Sequence, residues 1–252
     1  LFDRMDVDKD LYYLTKYVLR DNDDKSVDGI INVTLNIPAT FAAHVQSALM
    51  SATQQLVVEA DREKMTDEET SRIEDILKGL LLAADQRLRG MGEATLRPFI
   101  TEQMLVRGRA AARVTLRRGR SGALLADVLP VDTRWFTYEM GQDADGSPHM
   151  EWAAAKTWRS AASINREYPK ANLPTSGGYL YGVTDLWDAE ANRIYVGGPG
   201  AVSMGEGHEV FAQDNPYRKP PFAFQKVPLG SMLRDTDAVA HEGESIFFLI
   251  RD

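Results

Sequence analysis

An α+β fold, helices first and antiparallel sheet second, is what this chain predicts. Three observations predict it. Apolar residues recur at helical spacing up to about Val106 and alternate every second residue from about Arg109, the change falling near Gly108. Clusters of Gly, Asp, Asn and Pro punctuate the second half as turns between short strand-like runs. The long helical patterns precede the strand patterns instead of alternating with them, so a parallel βαβ sheet is not expected.

In order, Leu11, Leu14, Tyr17 and Val18 follow Asp8 at helical spacing, which predicts a first helix capped by Asp8. Pro38-Ala39-Thr40 opens a second helix through about Met50, and Gln55–Glu59 has the character of a short strand. Thr66 followed by Glu69 forms a capping box. It starts a long helix through Ile73, Ile76, Leu77, Leu80, Leu81 and Leu88 that ends at Gly90 or Gly92. A fourth helix spans roughly Thr95–Val106, with Pro98 in its first turn.

Strands then come in pairs. Arg109–Arg117 and Ala123–Val131 flank the turn Arg118-Gly119-Arg120-Ser121-Gly122. Arg134–Met140 and Glu151–Trp158 flank Asp143-Ala144-Asp145-Gly146-Ser147. Ser160–Glu167 is a short helix stopped by Pro169. Gly182–Asp188 and Arg193–Gly197 form a third hairpin, followed by strands at Glu209–Ala212 and Phe222–Val227. Pro220, Pro221 and Pro228 confine the last strand to a sheet edge. The expected parts are a mainly helical 1–108, an antiparallel β region 109–232, and the start of a helical stem at 233–252. Leu1 and the apolar run Ile246–Ile250 at the close suggest that the natural chain continues.

The 252 residues suffice for a substantial core, so neither a metal nor a nucleotide is expected to be needed for folding. The chain has no cysteine, which excludes disulfides, thiolate metal sites and cysteine nucleophiles, and fits a cytosolic or virion setting. No apolar run approaches the ~20 residues that cross a bilayer, and no signal peptide is visible. The net charge of −8 argues against a tight non-specific DNA binder. The charge is uneven: Asp21, Asp23, Asp24 and Asp28 cluster, as do Glu59, Asp61, Glu63, Asp67, Glu68 and Glu69, while arginines gather between Arg107 and Arg120.

Little in the chain has the spacing of a catalytic or ligand motif. His44, His149, His208 and His241 are scattered, and none sits in a zinc-binding frame. Gly197-Gly198-Pro199-Gly200 and Gly205-Glu206-Gly207 lack both the lysine of a P-loop and the helix of a dinucleotide fingerprint. If Gly146 took the sixth place of a calcium loop, Gly141 and Trp152 would stand where acids are required, so 143–147 is a hairpin turn. No nucleophile elbow is present. Paired carboxylates have no signature visible in sequence, so an enzyme with a carboxylate site stays open as an alternative.

The arginine strand is the one feature that points to a partner. By alternation, Arg109, Ala111, Arg113, Thr115 and Arg117 share one face of the strand, and Ala110, Ala112, Val114 and Leu116 share the other. The second face is expected in the core and the first outside, with Arg118 and Arg120 extending the charge around the turn. Such a face either is solvated or docks an acidic partner, such as the Asp/Glu-rich segments of a neighbouring copy, or a phosphate. Arg109, Arg113, Arg117, Arg118 and Arg120 are therefore the candidate docking residues.

Several stretches, in this order, resemble the portal proteins of tailed bacteriophages. VDGIINVTLNIPATFAAHVQSALMSATQQLVVEA is similar to the segment ahead of the portal wing. LLLAADQRLRGMGEATLRPFITEQMLVRGRAAARVTLRR, with the partner strand ending LPVDTRWFTYEMG, is similar to a wing helix feeding a hairpin that closes on Asp132. VTDLWDAEANRIYVGG and NPYRKPPFAFQKVPLGS resemble later wing strands, and GESIFFLIRD resembles the lead-in to the stem. The resemblance implies a homo-oligomeric ring, dodecameric, at one capsid vertex, through which double-stranded DNA is packaged and ejected. It implies contact with the major capsid protein, the terminase motor and tail adaptor proteins, and a place in the virion after assembly in the host cytoplasm. It implies no catalytic residue, no cofactor and no membrane. The alternative of another α+β virion or adaptor protein also stays open.

Overall fold

The structure is a computed structural model that describes residues 1–15, 18–23, 25–27, 29–31, 33, 35–53, 55–58, 65–118, 122, 124–200, 207–227 and 243–247, with Arg117 and Leu124 described by backbone alone. It is an α+β fold. Helices α1 (Phe2–Tyr12), α2 (Ile37–Ser51), α3 (Asp67–Gly90) and α4 (Leu96–Arg107) precede strands β1 (Arg109–Arg118), β2 (Leu124–Val131), β3 (Phe136–Gln142) and β4 (Pro148–Ser160). Helix α5 (Ala161–Glu167) follows, then β5 (Leu180–Asp188), β6 (Ala191–Pro199), β7 (His208–Asp214) and β8 (Phe222–Lys226). One sheet has the order β2-β1-β8, and the other is the meander β3-β4-β5-β6-β7. Every pairing in the meander is antiparallel. The proline-flanked β8 lies at an edge, as expected.

The chain divides into two compact units: 1–110 with 116–130 and 224–252, and 111–115 with 131–223. In the first unit, Ala42, Leu105, Val106 and Phe247 form a buried cluster joined by Leu11, Tyr12 and Val45. Residues 243–247 are therefore part of the helical core. Ile246 N–H donates to Leu105 O at 3.0 Å, and Arg4 binds both Glu244 (3.0 Å) and the Gly243 carbonyl (2.7 Å). Gly108 ends α4 in the left-handed conformation, φ +69°, and a Cβ there would overlap the Gly243 carbonyl, so only glycine fits.

The second unit buries Ile164 of α5 with Tyr181, Val183, Ile194, Val196 and Val210. Asp188 closes the β5–β6 hairpin. Its carboxylate accepts the N–H groups of Glu190 (2.8 Å) and Ala191 (2.7 Å) and pairs with Arg193. Burial would raise this carboxyl, but those bonds outweigh it and hold Asp188 below the ordinary range.

The expected elements appear with small boundary changes, apart from three. The first helix starts at Phe2, and Asp8 is not its cap but a buried residue inside it. Gln55–Val58 is not a strand, and Glu59 lies outside the described residues. Of the expected stem, 243–247 are irregular or turn, while 233–242 and 248–252 lie outside the described residues.

Candidate functional site

The arginine strand does not have one wet face and one dry face. Arg109 is 2% exposed, and its guanidinium lies 5.1 Å from the centre of the Phe224 ring, a cation–π distance. Ala110, Ala111 and Ala112 are all buried, so both faces of the strand are covered at its start. Farther along, Val114 and Leu116, expected in the core, are exposed. Alternation sorts residues onto two faces but cannot say which face is covered where, and here that changes within one strand.

Arg113 is held inside its own unit. It forms an ion pair with the buried Asp185 of β5. The other Asp185 oxygen accepts Asn192 Nδ2 of β6 at 2.6 Å, and Asn192 Oδ1 accepts Gln213 Nε2 of β7 at 3.2 Å. The sequence places these four residues far apart; antiparallel pairing of β5, β6 and β7 aligns three of them across the sheet. Arg113 therefore ends a polar row and has its carboxylate partner within the chain. Arg118 is exposed. The Arg117 side chain and all of Arg120 lie outside the described residues.

A second charged group stands on α5. Arg159 donates to Glu167 at 2.6 Å and to Ser163 Oγ at 2.9 Å, and the Tyr168 hydroxyl donates to Glu167 at 2.8 Å. Burial alone would raise Glu167. The bonds from Arg159 and Tyr168 and the charges of Arg159 and Arg113 outweigh it and hold the carboxyl below the usual carboxylate range. Burial, followed by the bond to Glu167, pushes the Tyr168 phenol upward. An ionised Glu167 beside a protonated Tyr168 is an anchor for α5, since neither group is poised to exchange a proton near neutrality.

The remaining candidates are dispersed. His44 is exposed on α2, His149 lies 3.2 Å from Asp143, and His208 opens β7; His241 lies outside the described residues. Among the described residues no group of three or more His, Cys, Asp and Glu could hold a metal ion. Turn 143–147 is closed by Gly146 N–H to Asp143 O at 2.8 Å and Ser147 N–H to Asp145 Oδ1 at 2.9 Å, the work of a hairpin. Gly197 and Gly198 lie in β6, and 201–206 fall outside the described residues. No described helix is long and apolar enough to cross a membrane.

Among the described residues, apolar side chains stand exposed on α3 and ahead of α2. On α3 the stripe Ile73, Ile76, Leu77, Leu80, Leu81, Ala84, Leu88 is continuous at helical spacing. Its end is anchored: Ala84 and Leu88 are buried, Asp85 accepts Leu96 N–H at 2.9 Å, and Arg87 pairs with Asp127. Its beginning is not, since Ile76, Leu77 and Leu81 are exposed. The other surface is Ile31, Val33 and Leu35, at 88%, 65% and 61% exposure. The stripe on α3 is visible in the sequence as periodicity; that it lacks a cover is not. The alternation Ile31-Asn32-Val33-Thr34-Leu35 is equally visible, and is the signal that a reading centred on charge passes over.

No protein-family model matches the chain, and no curated protein matches it in sequence.

Proposed function

We propose that this chain is the wing-rich part of a tailed-bacteriophage portal, a subunit of a ring at the capsid vertex through which double-stranded DNA passes. The observation that carries the reading is the order of elements. A long helix and α4 feed the β1–β2 hairpin, which turns at Asp132 into an antiparallel meander, and residues 243–247 then return to the helices. At the turn, Asp132 accepts the N–H of Arg134 at 2.9 Å and starts a single 3-10 turn before β3. That order matches the segments in which the sequence resembles portals. The uncovered stripe on α3 suits a subunit that packs against neighbours, because exposed apolar rows of this kind mark association surfaces. A net charge of −8 suits a conduit along which DNA slides without being gripped.

In this reading Arg118, with Arg117 and Arg120, retains the candidate docking role, while Arg109 and Arg113 serve the subunit's own structure. The partners are further copies in a dodecameric ring, the major capsid protein, the terminase motor and tail adaptors. The test is negative-stain microscopy of the longest natural form of the chain. Closed rings of uniform size with a central channel are expected. A population of monomers and dimers at micromolar concentration, or open filaments, would overturn the proposal.

A further inference from the structure

Two exposed apolar surfaces of the first unit stand in opposite charge settings. One is the uncovered part of α3, with Ile76, Leu77 and Leu81. The first turn of that helix holds the exposed Asp67, Glu68 and Glu69, and its first ten residues set five acids against Arg72 alone. The other is the end of the β1–β2 hairpin. Leu116 and Leu125 are 47% and 37% exposed, and the exposed Arg118 shares a side of β1 with Leu116 by alternation. No acid stands between Arg107 and Asp127, whereas Arg109, Arg113, Arg117, Arg118 and Arg120 do.

The two surfaces do not cover each other within one molecule. Both belong to the same compact unit. Arg87 pairs with Asp127, which ties β2 to the anchored end of α3, one residue from the buried Leu88. With that tie in place, Ile76, Leu77, Leu81, Leu116 and Leu125 all remain exposed. Like surfaces do not suit each other either. Two copies of the first turn of α3 would oppose carboxylates, and two hairpin ends would oppose arginines. Only the unlike pairing buries both apolar surfaces and matches the charges around them.

We propose that the uncovered stripe of α3 is the seat for the β1–β2 hairpin end of a second copy of this chain. Leu116 and Leu125 of one copy cover Ile76, Leu77 and Leu81 of the next, and Arg118 lies toward the carboxylates of the first turn. The apolar residues supply the contact, and the charges set its direction and exclude the like pairings. The two surfaces differ, so the contact is head-to-tail and repeats from copy to copy. The inference deepens the ring reading by naming the contact, and rests on that reading only for closure of the ring.

Charge exchange in the longest natural form of the chain tests the pairing. One variant carries Asp67→Lys and Glu68→Lys, the other Arg118→Glu. Each alone is expected to weaken self-association by about tenfold in sedimentation velocity at low salt, with an unchanged circular dichroism spectrum. Mixed together they should associate again, because the reversed helix of one meets the reversed hairpin of the other and the unaltered pair also matches. Cross-linking fixes the place without altering a charge. The chain has no cysteine, so Leu77→Cys in one tagged chain and Leu116→Cys in a second are the only thiols for a short bis-maleimide. Leu82→Cys, exposed on the opposite side of α3, replaces Leu77→Cys as the control. A several-fold excess of the Leu77 product is expected. Variants that fail to complement each other when mixed, or equal yields from Leu77→Cys and Leu82→Cys, would overturn the proposal. Rings that form undisturbed in both charge variants would reject this contact and keep the ring reading. Open chains that carry the Leu77 cross-link would keep the contact and reject the ring.

Discussion

Among the described residues, the first unit leaves more large apolar side chains outside than the second, where Val114, Met140, Tyr179, Leu180 and Phe211 are exposed. Residues 30–41 and the first two-thirds of α3 present Ile31, Val33, Ile37, Phe41, Ile76 and Leu81 to solvent. In the meander, Val183, Asp185, Trp187, Ile194 and Val196 are all buried, and even the charged Asp185 is paired. The two units are therefore stabilised differently. The sheet unit buries the middle of its strands β5 and β6, and the helical unit leaves part of the apolar stripe of α3 exposed.

The largest expected effect tests the enclosed side. Ile164→Ala empties a fully buried position and should cost about 2–5 kcal/mol. Leu81→Ala, on the uncovered stripe, should stay within about 0.5 kcal/mol. Urea unfolding of both variants measures the difference, and equal losses would erase the contrast between the units. The next effect lies within one strand. Arg113→Glu places a carboxylate against Asp185 and should cost about 2–4 kcal/mol, discounted for partial exposure. Arg118→Glu should be near neutral for the monomer. Thermal melts of the two variants sharpen the boundary between structural and available arginines.

The smallest effect concerns the start of α3. Thr66 Oγ1 accepts Glu69 N–H at 3.3 Å, and the Glu69 carboxylate accepts Thr66 N–H at 2.8 Å. Thr66→Ala should cost about 1 kcal/mol of helix stability, read by circular dichroism at neutral pH. The bonds from the Thr66 backbone and hydroxyl hold Glu69 below its usual range, so its contribution is present above the ordinary carboxylate pKa. It is lost as pH falls through the lowered value. The penalty of Thr66→Ala should therefore shrink in acid.

Local signals account for what the sequence made legible. The Thr66–Glu69 box, Pro98 in the first turn of α4, Gly108 after it and the turns at 143–147 and 188–191 act within a few residues, and each marks an element where it lies. The start of α1 is not legible, because its apolar residues follow no helical face and Asp8 resembles a cap. The burial of the arginine strand is hidden for a different reason. Whether Arg109 and Arg113 are free depends on Phe224 and Asp185, and no pattern inside residues 109–118 encodes those partners.

The return of residues 243–247 to the helices has a consequence for how the chain is made. Arg4 meets its partners Gly243 and Glu244 only when these are made, some 240 residues later in synthesis. At the ~5–20 residues per second of synthesis this is a wait of roughly ten to fifty seconds. The sheet unit, whose partners all lie between residues 111 and 223, can close during that interval. Helix α1 is thus among the last of these elements to settle.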